Sequence, residues 1–360
     1  GASLRAIARM GGATKELVAL REELEQLRTS QRAQSAELEE LRGELEVQKA
    51  LNARTAAVFM LGDLDECIGK RVRAFHASSG LPATWVLHSP NVSRSARKVA
   101  ATLAADGVLV EEQPRVPSHW RSFGASKSAS GQILTVPSFL LWLLHKPEYS
   151  NAWHIEDDVF FTGQWKELVS DARWQGQDLV SGKYVSFWSD ARFRNWLHAH
   201  ACKLPGGVPC EQGPGAGPTV AKVMWPLARL SRTLAFKLAE ALDNGAGGHN
   251  EVSTGALCDY FNATGKVCQT KPIPNQDLGP YYLGMPECKL NASERLHTKL
   301  PQRCKAAWPP SFLNSTLRQQ HRFFHPAKCS LRPDFGELQL EWIRRTARRQ
   351  TTHPHTHGHA

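Results

Sequence analysis

Three consecutive carboxylates, Glu156, Asp157 and Asp158, close the apolar run Trp153-His154-Ile155. At the end of a hydrophobic strand such charges repel one another and cost desolvation unless a cation or hydrogen-bond donors compensate. A divalent metal with oxygen ligands does this, and it can grip a diphosphate at the same time. The competing reading is an exposed acidic turn. Position favours the chemical one: the acids fall late in an α/β unit, at the carboxyl end of a buried strand, where such sheets bind ligands.

The elements that must hold this turn begin near residue 56. Residues 57–61 (AVFML), 84–88 (TWVLH) and 108–111 (VLVE) read as strands. Between them lie a helix running to about residue 76 and an alanine-rich helix over 95–106. Residues 132–145 predict an apolar helix closed by Pro147, and 152–156 a strand that runs into the acids. This β-α-β-α-β order, with near-continuous apolar strands, implies an α/β fold built on a mainly parallel, Rossmann-like sheet. Further on, 178–181 and 183–187 read as strands. Leu227, Leu230, Leu234, Leu238 and Leu242 share one helical face, so a helix is expected over 226–242, with Pro226 in its first turn. A short helix is expected after Ser253. Residues 265–335, rich in Pro and Cys, predict disulfide-pinned loops.

A different pattern precedes this. With Leu17 at heptad position a, the a/d series is Leu17, Leu20, Leu24, Leu27, Gln31, Gln34, Leu38, Leu41, Leu45 and Gln48. The spacing alternates three and four without a slip, which predicts an N-terminal coiled-coil helix over 14–52. In a parallel homodimer Glu23 would face Arg28, and Glu37 would face Arg42. Gln31 and Gln34 form a polar layer that can fix register. The alternative is a single solvated helix. The expected organisation is a 1–13 segment, the 14–52 stem, a catalytic domain over 56–335 and a basic tail over 336–360.

Lys+Arg 44 against Asp+Glu 34 gives a formal charge of +10, none of it from residues 1–55, where nine bases balance nine acids. The excess lies in the part that would handle an acidic ligand. The basic tail lacks interleaved aromatics or a known module, so nucleic acid is not an expected partner. A hydrophobic fraction of 41% with Trp 11 excludes wholesale disorder. No run approaches the 18 apolar residues of a membrane span, so the expectation is membrane attachment only through an anchor absent from this chain. Eight cysteines without a C-x-x-C, crowded between Cys202 and Cys329 apart from Cys67, favour disulfides over a zinc ribbon. Four N-x-[ST] sequons, at Asn91, Asn262, Asn291 and Asn314, point the same way, to the Golgi or ER lumen.

The run Glu156-Asp157-Asp158-Val159, followed by Phe160-Phe161-Thr162-Gly163-Gln164-Trp165, resembles the DxD-type motif of GT-A-fold glycosyltransferases that use nucleotide sugars. The E-D-D spelling is similar to that of the inverting N-acetylglucosaminyltransferases of the Golgi. The resemblance covers residues 56–330 in layout and is sharp at 153–165. It implies a single GT-A-like domain, a UDP-sugar donor, a glycan or glycoprotein acceptor, and Mn2+ (or Mg2+) held by Asp158. Glu156 and Asp157 would contact the ribose or base side, or orient the metal shell. Gly247 to Ser253 resembles the place where that family carries its base in an x-E-D motif. Here the residues are Asn250-Glu251-Val252, the final Asp is missing, and the role falls on Glu251, with Asp259 next in line. Phe323-Phe324-His325-Pro326 resembles the segment whose His completes the metal or diphosphate site, which implies His325. The loop 213–218 resembles the family's glycine loop near the donor and implies Gly215. Asp63 and Asp65, just past the first strand, are candidate nucleotide contacts by location alone. Phe187, Trp188 and Trp196 can floor a sugar or pack in the core.

Two other functions remain open on sequence: metal-dependent nucleotidyl transfer or sugar-phosphate hydrolysis, and a coiled-coil scaffold with a degenerate sugar-binding head.

Overall fold

A computed structural model describes residues 23–39, 42–43, 54–61, 64–90, 93–123, 135–157, 159–161, 163–181, 185–186, 202–210, 212–214, 221–223, 225–274 and 323–324. The chain divides into two units, Gly1–Leu51 and Asn52–Ala360. In the first, residues 23–39 form helix α1, every one of them exposed. Leu24, Leu27 and Leu38, all a or d positions, are 48%, 62% and 59% exposed. Arg28 pairs with Glu25 one turn away at 3.1 Å.

The second unit is built on strand β1 (Thr55–Leu61), buried along its whole length. A strand buried on both faces needs apolar side chains at every position, and TAAVFML supplies nearly that. Helix α2 (Glu66–Ser79) follows, capped by Asp65, whose carboxylate accepts from the Ile68 amide at 2.8 Å. Strand β2 (Ala83–His88), helix α3 (Arg94–Ala105) and strand β3 (Leu109–Glu112) continue the alternation. Helix α4 (Thr135–His145) then leads to β4 (Asn151–Glu156).

The remaining described elements are β5 (Phe160–Phe161), the one-turn helix α5 (Trp165–Val169), β6 (Leu179–Ser181), β7 (Val185–Ser186), β8 (Ala221–Lys222), β9 (Leu227–Ser231), α6 (Arg232–Asp243), α7 (Asn250–Ala263), β10 (Thr270–Pro272) and β11 (Phe323–Phe324). Seven strands form one sheet in the order β10-β6-β9-β4-β1-β2-β3. β9 runs antiparallel to both β4 and β6, and the other pairings are parallel. The fold is therefore α/β on a mainly parallel sheet, as the strand-helix alternation implies.

Side chains of β1 alternate between two cores. Ala56, Val58 and Met60 face α4, α6 and α7, whereas Ala57, Phe59 and Leu61 face α2, α3 and α5. Period-two alternation on a central strand buries both sets.

One expectation is overturned. Residues 227–231 do not open a helix over 226–242; they form β9, between β4 and β6. Leucines three and four apart suit a helical face, but Leu227-Ala228-Arg229-Leu230 also alternates between the two cores. Arg229 is tolerated there because its guanidinium donates to the carbonyls of Trp174 (3.0 Å) and Gln177 (3.1 Å). The helix starts one residue after its cap, Ser231, whose hydroxyl accepts from the Leu234 amide at 3.0 Å. The helix expected after Ser253 starts earlier, at Asn250, and runs for 14 residues.

Candidate active site

The acidic turn sits at the carboxyl end of β4, the end of the strands at which open α/β sheets bind ligands. β4 ends at Glu156, and its neighbour β1 runs parallel with Met60 opposite Glu156. Glu156 and Asp157 are half-buried. The Glu156 amide donates to the Pro226 carbonyl at 2.9 Å, which ties the end of β4 to the residue before β9. Beneath the turn lies Arg71 of α2, only 3% exposed, whose Nη1 donates to the Asp157 carbonyl at 2.6 Å. A buried guanidinium that donates to this carbonyl holds the backbone of the turn from below. Sequence reasoning passed over Arg71; the one available signal was a cation in the otherwise apolar face of α2.

Two residues back in β4, His154 is fully buried between the rings of Phe139 and Trp225. Its Nδ1 donates to the Trp225 carbonyl at 2.7 Å, and its Nε2 has no hydrogen-bond partner among the described residues. Burial lowers its pKa from 6.5 to about 4, so the ring is neutral.

After the turn, β5 pairs antiparallel with β11, with Phe323 opposite Phe161 and Phe324 opposite Phe160. The C-terminal Phe-Phe pair singled out in the sequence thus lies against the residues that follow the acids. Phe161 anchors this pairing, 3% exposed, with its ring edge-on to Trp165 at 5.0 Å. A Cβ on Gly163 would stand 2.2 Å from the Phe161 ring, so glycine alone fits there.

Glu251 lies in the first turn of α7 and is half-buried. An acid there complements the helix dipole. Its amide donates to Asn250 Oδ1 at 2.9 Å, and its carbonyl accepts from the Val223 amide at 2.8 Å. The turn before α7 is fixed from two sides. Lys203 and Gly247 exchange backbone hydrogen bonds of 2.9 and 3.0 Å, while Ser253 Oγ donates to the Gly247 carbonyl at 2.8 Å. The Cys202–Cys210 disulfide closes the loop that carries Lys203, and Cys258–Cys268 ties α7 to the approach to β10. Cys67 is disulfide-bonded too.

The structure therefore describes Glu156, Asp157 and Glu251. Asp63, Asp158, Gly215 and His325 lie outside the described residues, as do Phe187, Trp188 and Trp196. Asp65 is described, and its carboxylate caps α2. Among the described residues no cluster of three His, Cys, Asp or Glu side chains able to hold a metal forms, and no helix is long and apolar enough to cross a membrane.

No family model and no curated protein matches this chain. Among solved structures it is similar to glucosyl-3-phosphoglycerate synthase from Mycobacterium tuberculosis. One such structure, with Mn2+, UDP and glucosyl-3-phosphoglycerate, is 18% identical, with 63% of this chain and 72% of that chain covered and a TM-score of 0.37. Another, with UDP, is 17% identical, with 73% and 83% covered and a TM-score of 0.37.

Proposed function

We propose that this chain is a lumenal, metal-dependent glycosyltransferase that moves a sugar from a UDP-sugar to a hydroxyl of a glycan or glycoprotein, with inversion. The observation that carries the reading is the β5–β11 pairing. It joins two segments 163 positions apart that the resemblance implies belong to one site, the residues after Glu156-Asp157-Asp158 and the Phe-Phe pair before His325.

The donor set fits a hard divalent cation. Three carboxylates, Glu156, Asp157 and Asp158, follow one another in sequence where β4 ends, and oxygen ligands suit Mn2+ or Mg2+. Asp158 would hold the cation with His325, while Glu156 and Asp157 face the nucleoside or orient the site. When bound, the cation neutralises charge on the departing diphosphate. Glu251 receives the proton of the acceptor hydroxyl on a carboxylate oxygen. That hydroxyl oxygen attacks the anomeric carbon from the face opposite the diphosphate, and the bond to the diphosphate breaks with its electron pair leaving on UDP. Arg71 keeps the acidic turn in place through the Asp157 carbonyl.

Oxidised Cys67, the two disulfides and the four sequons support a Golgi or ER lumen. The exposed Leu24, Leu27 and Leu38, with opposite charges at Glu23–Arg28 and Glu37–Arg42, support a parallel homodimer through the stem.

The test is a panel of nucleotide sugars with Mn2+ and glycan acceptors. The expected result is UDP release that needs the metal, with Mn2+-dependent UDP binding lost in Asp158→Ala. Glu251→Gln is expected to keep UDP binding and lose transfer by about 10²- to 10⁴-fold. Release of pyrophosphate would point instead to nucleotidyl transfer, and no metal-dependent UDP binding would leave the scaffold reading.

A further inference from the structure

The two halves of the proposed site are bridged by one short piece of chain. At one end of it, the Pro226 carbonyl accepts from the Glu156 amide at 2.9 Å, at the carboxyl terminus of β4. At the other, the Val223 amide donates to the Glu251 carbonyl at 2.8 Å, in the first turn of α7. Three residue steps separate Val223 from Pro226, a reach of at most about 11 Å. Between these ends Trp225 touches both halves. Its carbonyl accepts from His154 of β4 at 2.7 Å. Its indole N–H donates to Thr254 Oγ1 at 3.1 Å and to the Asn250 carbonyl at 3.3 Å, both in α7.

Every side chain in this chain of contacts is locked. Trp225, His154 and Thr254 are each 0% exposed. The Phe139 ring packs edge-on against His154 (5.2 Å) and Trp225 (6.3 Å), so the indole has no room to swing. A core tryptophan needs only a partner for its N–H. Here the partners lie in the first five residues of the helix that carries Glu251, and the same residue's carbonyl holds the strand that carries Glu156.

We propose that Trp225 is a positioning residue: its indole N–H, received by Thr254 and the Asn250 carbonyl, sets where the Glu251 carboxylate stands relative to the acidic turn. The inference rests on Glu251 being the base. A base displaced by a fraction of an ångström still sits in a folded protein that binds donor, but it meets the acceptor hydroxyl poorly.

Two variants weaken the contact from opposite sides, Trp225→Phe by removing the donor and Thr254→Val by removing the shorter of its two acceptors. Trp225→Phe keeps an aromatic ring without the N–H, and Thr254→Val keeps shape without the acceptor. Both are expected to lower kcat by about tenfold to a hundredfold, with unchanged Mn2+-dependent UDP binding and unchanged donor KM. Thr254→Ser restores the acceptor and is expected to restore kcat. Neither variant should slow an enzyme that already carries Glu251→Gln. Wild-type kcat in both variants, or a Thr254→Ser enzyme as slow as Thr254→Val, overturns the proposal and leaves Trp225 as core packing. Full transfer by Glu251→Gln removes the base assignment and the proposal with it. Loss in Glu251→Gln alongside wild-type kcat in Trp225→Phe and Thr254→Val overturns the proposal alone.

Discussion

The guanidinium of Arg71 donates to the backbone carbonyl of Asp157 at 2.6 Å, across 86 positions of sequence. Because Arg71 is buried in α2 and Asp157 follows the last residue of β4, this one bond couples the first helix of the sheet to the acidic turn. Its removal takes away a buried donor to the Asp157 carbonyl. Arg71→Met is expected to cost about 2–3 kcal/mol of stability, measured by denaturant unfolding. Its Mn2+-dependent UDP affinity should also fall. Arg71→Lys, which keeps the charge but not the planar fork, should lie between the two.

Gly163→Ala should destabilise the protein by about 1–3 kcal/mol, since the added Cβ would stand 2.2 Å from the Phe161 ring. Phe161 pairs with Phe323, so the substitution should also loosen β11 and reduce transfer. A thermal melt and a transfer assay on the same preparation check both effects. An unchanged melting temperature would show that the ring yields freely.

His154 makes stability depend on pH. Its folded pKa, about 4, lies below the ordinary 6.5, so the unfolded chain binds the proton more readily. The stabilisation is therefore complete above pH 6.5 and is lost as pH falls from there towards 4, by about 3 kcal/mol over the whole window. Urea unfolding at steps between pH 7 and pH 4 measures the slope. His154→Asn retains an N–H donor for the Trp225 carbonyl without a titrating ring, and it should flatten this part of the profile.

The stem should set the oligomeric state. Leu24, Leu27 and Leu38 are exposed on α1, and burying a leucine side chain contributes about 1.5–3 kcal/mol. Sedimentation of the full chain is expected to give a dimer, and Leu24→Lys combined with Leu38→Lys should halve the mass. A monomer before substitution would contradict the seam.

How far the sequence was legible follows from what each segment interacts with. β1, β2 and β4 were evident because strands buried on both faces are apolar throughout, and no competing period exists in TAAVFML or ATWVLH. β9 was not, because Leu227 and Leu230 satisfy a helical and a strand period equally; its neighbours β4 and β6 decide, and they are distant in sequence. The acidic turn was visible as a charge run against an apolar strand. Arg71 was invisible for the opposite reason: one cation in a helix has meaning only once its reach to the Asp157 carbonyl is seen. The Phe323–Phe324 segment was marked by the resemblance that implies His325, whereas its pairing with β5 is a long-range contact that local pattern cannot encode. Trp225 carries no local signal in the sequence; its partners on β4 and α7 alone give it meaning.

Asn262 is exposed at the last turn of α7, and both ends of its side-chain amide are engaged by one residue. Its Oδ1 accepts from the Cys268 amide at 2.8 Å, and its Nδ2 donates to the Cys268 carbonyl at 3.2 Å. Cys268 is itself bonded to Cys258, ten residues back along the chain. The nitrogen that a sugar would occupy in Asn262-Ala263-Thr264 is thus the one that clasps the oxidised loop. In a compartment that both glycosylates and oxidises, the two events become rivals in time. A glycan on Asn262 would be a timestamp, recording that the sugar arrived before Cys268 was sealed in place.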